Sequence, residues 1–324
     1  MDRKCLLVVA SLVVVAAGLR VSSDEWVGGI TIRGENNPAP ASMPPHPELL
    51  ERVGRGEVML PDFITDPGRR QQMGIDQPQA LRAGPQGSWN ALALLVEFTD
   101  NTSQVGPAYF DTLLFGGGSG TLNDYYHVVS YGALDIVTVN LPSSIGWSTM
   151  PQTYAYYVNG NYGFGTYPQN AQKLTEDAVL LADPLVDFSQ YDNDGDGWVD
   201  TVFVIHAGPG AEFTGDSNDI WSHSWSTVSD PVVDGVRVNS YTTEPEYWSS
   251  PGDMTMGVFA HELGHVFGLP DLYDTDYSSR GVGRWSLMAG GSWNGPWPGG
   301  SSPAFPDAWS RWALETWPKS VIIN

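Results

Sequence analysis

The stretch HELGHVFGLPDLYD, His261 to Asp274, decides how the chain is read. It opens with two histidines four residues apart and a glutamate beside the first. At about 100° per residue the two imidazoles stand about 40° apart on one helix face, so both can reach a single metal ion. Glu262 next to them is placed to take a proton from water rather than to bind the metal. The apolar lead-in 257–260 supports the helix, and Gly264 admits close approach of another segment beneath the metal. Gly268 follows His265 by three residues and ends the helix, and Pro270 prevents its resumption. A catalytic zinc takes three protein ligands and keeps one position open. The turn brings Asp271 back toward the metal as the third ligand, with Asp274 a competitor that needs a wider loop.

A thermolysin-like site would continue the helix and recruit a downstream glutamate, and Glu315 is the only carboxylate beyond Asp307 that could serve. The spacing HExxHxxGxxD resembles that of the metzincins, with aspartate where histidine is commoner. Met288 follows in the glycine-flanked WSLMAGGSWNG (285–295), placed as the methionine of a Met-turn would be. Several metzincins carry a tyrosine shortly after that methionine; none follows Met288. Together with YDNDGDGWVDTVFVIHAGPGAE (191–212), SYGALDI (130–136), PDAWSRW (306–312) and MPPHPELLER (43–52), these phrases make the chain similar to the immune inhibitor A family of secreted zinc metallopeptidases. The resemblance spans roughly Trp89 to the C-terminus. It implies a two-lobed metzincin fold, zinc held by His261, His265 and Asp271, Glu262 as catalytic base, and a pro-segment giving latency.

A second metal is expected at DNDGDGWVD. Asp192, Asp194, Asp196 and Asp200 fall at positions 1, 3, 5 and 9 of a calcium-loop pattern, Gly197 sits at the sharp turn, and Trp198 offers its carbonyl. Position 12 is Phe203, so the bidentate glutamate of an EF-hand is missing. The loop reads as a single structural Ca2+ site, completed by water or by a residue such as Asp187.

Charge and leader bound the rest. With 15 Lys+Arg against 37 Asp+Glu, the net charge of −22 excludes nucleic acid as a partner and suits cations. Residues 1–23 read as a signal peptide: Arg3 and Lys4, then an apolar run to Leu19 that is short for a bilayer span. Cys5 is the only cysteine and would leave with it, so no disulfide and no cysteine switch is available. Residues 24–87 read as a pro-segment of loop-like, proline-rich chain with one short helix near Pro47–Val53, and with Arg69, Arg70 and Arg82 as processing candidates. Residues 88–324 read as the catalytic domain, α+β, with a twisted mixed sheet, helices and an irregular C-terminal lobe whose core takes the six tryptophans between Trp285 and Trp317. His206 and His223 read as structural and His127 as core, and His46 is one candidate to cap the zinc in the latent form.

The functional expectation is a secreted endopeptidase acting on proteins or peptides, with catalytic Zn2+ and structural Ca2+, its own pro-segment as inhibitor, and no membrane association once the signal is removed. The competing class is a calcium-stabilised binding or adhesion module with a non-catalytic zinc site, which an intact Glu262 argues against.

Overall fold

The apolar run Trp89–Phe98 reads as one buried strand, yet the chain divides it. The computed structural model describes residues 26–27, 30–31, 40–73, 84–274 and 278–317. In it Gly87–Asn90 pairs in parallel with Leu134–Val137, whereas Leu92–Glu97 enters the main sheet. At the switch, the Asn193 side chain takes the place of a ladder partner. Asn90 N–H donates to Asn193 Oδ1 at 2.7 Å, and Asn193 Nδ2 donates to Asn90 O at 3.0 Å. That partner arrives from a distant loop, so no local pattern announces the break.

The main sheet has six strands: β1 (Ala41–Ser42), β2 (Leu92–Glu97), β3 (Trp147–Thr149), β4 (Val202–Pro209), β5 (His223–Ser226) and β6 (Ser240–Tyr247). Their order is β1-β5-β6-β4-β2-β3. Strands β6, β4, β2 and β3 run parallel, while β5 pairs antiparallel with both β6 and β1. This mixed sheet and its helices make the α+β architecture expected. The helices that matter here are α1 (Pro47–Gly54), α2 (Leu122–Val129), α3 (Ala171–Ala182), α4 (Met256–Val266) and α5 (Ala308–Ala313).

Strand alternation sorts the side chains into two cores. Leu92, Leu94, Val202 and Val204 pack with Leu174, Ala178 and Val179 of α3. Ala93, Leu95, Phe203 and Ile205 pack with Tyr126 of α2 and with Phe259 and Leu263 of α4. Covered on both faces, β2 and β4 read as unbroken apolar runs. Asp234-Gly235 between the runs Val232–Val233 and Val236–Val238 reads as a hairpin turn, and the hairpin forms: Val233 faces Val236, and both turn residues have positive φ, 49° and 83°.

Two regions depart from their reading. Residues 40–73 are not loop-like chain: Met43, Leu49, Phe63 and Ile64 lie in the core, and β1 extends the sheet. Trp221 Nε1 donates to Met43 O at 2.7 Å and Trp293 Nε1 to Pro44 O at 3.0 Å. These apolar residues follow no period because their partners lie outside the segment. Gly68–Arg70 sits in the helix Pro67–Met73, where Arg70 is buried and Arg69 exposed; Arg82 and the signal region lie outside the described residues. In the C-terminal part, Trp293 and Trp317 are buried, but Trp285, Trp297, Trp309 and Trp312 are exposed rather than core. Among the described residues no helix is long and apolar enough to cross a membrane.

Candidate metal centre

All eleven residues of α4 are buried, so the helix is held by its surroundings on every side. Its end is a Schellman cap. Gly268, at φ 89°, donates to His265 O at 2.8 Å, and Leu269 N–H donates to Gly264 O at 3.0 Å. The cap also aims a ligand: His265 Nδ1 lies 2.7 Å from Leu269 O. His261 Nδ1 lies 2.9 Å from Leu287 O. A carbonyl can only accept, so both rings carry their proton on Nδ1 and turn the Nε2 lone pairs inward.

Those lone pairs meet. The two Nε2 atoms are 3.1 Å apart, and Asp271 Oδ1 lies 3.2 Å from His261 Nε2 and 3.3 Å from His265 Nε2. Three ligands about 2.0 Å from one tetrahedral ion stand about 3.3 Å apart. The triangle therefore has the dimensions of a tetrahedral metal's base, and its three donors repel one another unless a cation or protons lie between them. Burial works to raise the Asp271 carboxyl, but the adjoining imidazoles, when protonated, outweigh it and hold it below its usual range. Burial lowers His261.

Glu262 is fully buried, and neither carboxylate oxygen has a hydrogen-bond partner among the described residues. Burial, and then the charges of Glu244 and Asp271, push it well above the ordinary carboxylate range. Such a group favours holding a proton, as a general base must after it has taken one.

Met288 is buried under the helix. A Cβ on Gly264 would stand 2.6 Å from Met288 Sδ, which gives the glycine its reason. The turn does more than fill space. Leu287 O fixes His261, and Met288 O accepts from Leu272 N–H at 2.7 Å, beside Asp271. Asp274 stands outside the triangle, its Oδ2 accepting from Ser279 N–H at 2.6 Å. Glu315 is exposed and outside it too.

The other histidines separate cleanly. Both ring nitrogens of His46 are engaged: its Nε2 lies 2.6 Å from Pro298 O and its Nδ1 accepts from Glu48 N–H, among Phe213, Trp293 and Trp297. His223 is structural, with Nδ1 at Trp221 O and Nε2 at Tyr241 Oη. His206 is buried, with Nδ1 at Ala207 O. His127 is not core; it is half exposed and paired with Asp135 at 2.7 Å.

The acidic loop brings Asp192, Asp194 and Asp196 together, each offering one oxygen within 4.8 Å of the others. Its carboxylates already serve the loop: Asp192 accepts from the N–H groups of Gly195, Asp196 and Gly197, and Asp200 Oδ2 from Asn193. Trp198 donates its N–H to Asp196 Oδ1. Asp187 accepts from Ser189 Oγ at 2.6 Å and Gln190 Nε2 at 3.0 Å and is not one of the three grouped carboxylates. Tyr273 was missed by sequence reasoning: its hydroxyl lies 3.2 Å from Asp271 Oδ2. Its position two residues past Asp271, in the same turn, is the signal that could have found it.

In sequence the chain is similar to known metallopeptidases. The chain is 29% identical to the Pre-pro-metalloprotease PrtV of Vibrio cholerae over 286 residues, 73% of this chain and 30% of that protein. It is 32% identical to Immune inhibitor A of Bacillus thuringiensis over 272 residues, 66% of this chain and 38% of that protein. A shorter match, 34% over 73 residues, is to a putative secreted metallopeptidase of Arthroderma benhamiae, covering 19% of this chain and 11% of that protein. The chain thus spans about a third of the length of its two longer-matching relatives. Residues 77–317 match the catalytic domain of the immune inhibitor A peptidase M6 family, and the chain belongs to that family.

Proposed function

We propose that the chain is a secreted zinc-dependent endopeptidase of two-lobed, metzincin type. The observation that carries this reading is the 3.1–3.3 Å triangle of His261, His265 and Asp271 beside a buried Glu262 carboxylate that has no hydrogen-bond donor among the described residues. Those three residues would hold the zinc, with Met288 beneath it. When bound, zinc lowers the pKa of water toward neutrality and polarises the scissile carbonyl. Glu262 takes a proton from the water that adds to the carbonyl carbon. It then delivers that proton to the amine nitrogen as the C–N bond breaks.

The leader fits this reading as an inhibitor. Residues 24–87 would be the pro-segment and 88–324 the catalytic domain. β1 lies along the free edge of β5 as an extended peptide does when it adds to a sheet. Asp192, Asp194, Asp196, the Trp198 carbonyl and Asp200 would hold a structural Ca2+, which serves a chain whose only cysteine is in the leader. Export is supported by the apolar N-terminal run and by the relative described as a secreted metallopeptidase.

Glu262→Ala tests the mechanism. In the activated protein it should lower casein hydrolysis by about 10²–10⁴-fold while zinc content, measured by mass spectrometry, stays unchanged. Undiminished hydrolysis by that variant removes Glu262 from the reaction.

A further inference from the structure

The two oxygens of Asp271 face different partners. Oδ1 points at the imidazoles, 3.2 and 3.3 Å from their Nε2 atoms. Oδ2 accepts from the Tyr273 hydroxyl at 3.2 Å. The same hydroxyl lies 2.9 Å from the Ser42 carbonyl oxygen and 3.1 Å from Ser42 Oγ. Ser42 belongs to β1, in register with His223 of β5. One phenol oxygen therefore touches both a carboxylate of the metal triangle and the backbone of the leader strand. The ring has little room to leave: Tyr273 is 7% exposed, and the buried Arg70 guanidinium lies 5.9 Å from its centroid.

A phenol owns one proton, and here it has two acceptors, the Ser42 carbonyl and Asp271 Oδ2. We propose that Tyr273 is a positioning residue that couples the metal site to the leader strand, its hydroxyl fixing the outer oxygen of Asp271 and securing Ser42 through the same proton. This deepens the metallopeptidase reading and rests on Asp271 as a ligand. A cation at Oδ1 fixes the orientation of the Asp271 carboxylate, and with it the hydroxyl that Oδ2 holds against Ser42. By linkage, a docked strand tightens metal binding by the same factor. The metal centre thus has its tyrosine on the ligand side of the turn, where none follows Met288.

The test uses the full chain and zinc alone. Zinc affinity is measured by chelator competition. Docking of the strand is read from exchange of the Met43 amide, which donates to Ser222 O at 3.0 Å. In the native chain, zinc slows that exchange; an exchange rate indifferent to zinc overturns the coupling. Tyr273→Phe keeps the ring and removes the hydroxyl. It should weaken zinc binding by about tenfold or more and abolish the zinc-linked slowing at Met43. Unchanged zinc affinity, or slowing that survives the substitution, overturns the proposal. A chain with 4-aminophenylalanine at position 273 retains a ring and a donor. It should keep native zinc affinity and the slowing, and its failure to do so also overturns the proposal, even where the Phe variant does not fold. Asp271→Ala separates the two levels. If that variant keeps its zinc, the ligand assignment itself fails. If it loses zinc while Tyr273→Phe binds as tightly as the native chain, the coupling alone fails.

Discussion

Among the described residues, two groups of side chains are spaced for a metal ion, and they are built in opposite ways. In the buried triangle, backbone carbonyls of Leu287 and Leu269 take the outer nitrogens of His261 and His265, and the inner atoms are left facing one another. In the exposed loop, the carboxylates of Asp192, Asp194 and Asp196 already accept N–H groups of their own turn. The first arrangement is in debt of positive charge. The second holds its shape as a hydrogen-bonded turn whether or not an ion arrives. Ligand number and spacing look alike in the two sites; what distinguishes them is where the spare hydrogen-bonding capacity points.

The largest expected effect breaks the triangle itself. Asp271→Ala removes one of three donors, so zinc affinity should fall by more than the roughly 10–100-fold that follows loss of an outer partner. Chelation of the native chain should abolish hydrolysis, and readdition of zinc should restore it. Zinc binding should also weaken as pH falls, because the imidazoles must shed protons to bind. Equilibrium dialysis of the variant decides between Asp271 and Asp274: native zinc affinity in Asp271→Ala would transfer the role elsewhere, to Asp274 first.

An intermediate effect probes the floor of the site. Gly264→Ala would place a methyl group 2.6 Å from Met288 Sδ and 3.2 Å from its Cε. Displacing that side chain costs about 1–3 kcal/mol, against which alanine returns about 1 kcal/mol of helix propensity. A net loss of stability in a thermal melt is expected, together with weaker zinc binding, since the turn that carries Met288 also holds His261 through Leu287. A variant as stable as the native chain would show that Met288 moves freely and supports nothing above it.

How much of this was legible in the sequence depends on the distance over which each feature is decided. The helix end at Gly268 and the hairpin at Asp234-Gly235 are settled by neighbouring residues, and both were read correctly. The triangle was legible because its three members lie within eleven residues, two on one helix face and the third just past the helix cap. The split of Trp89–Phe98 was hidden, because the side chain that satisfies the backbone there, Asn193, comes from a distant loop. So was the packing of residues 40–73, whose apolar side chains find partners only in the folded domain. The exposed tryptophans defeated a compositional argument: large aromatics imply a core only when something covers them.

The smallest effect sharpens the comparison from the loop's side. Asp192→Ala would be a poor probe, since it removes the carboxylate that accepts from three N–H groups and destabilises the turn with or without calcium. Asp194 accepts the Asp196 N–H at 3.1 Å, so Asp194→Ala loses a proposed ligand at little structural cost. In calcium-free buffer its melting temperature should sit close to that of the native chain, within the ~1 kcal/mol that one exposed hydrogen bond carries. Calcium at about a hundred times its dissociation constant should stabilise the native chain by about 2.7 kcal/mol, and that increment should largely vanish in the variant. Zinc content should be equal in both proteins, because the Asp194 carboxylate is no part of the triangle. A native chain whose melting ignores calcium would leave the loop as a turn that its own amides satisfy, and the contrast between the two sites would then be one between a metal centre and a look-alike.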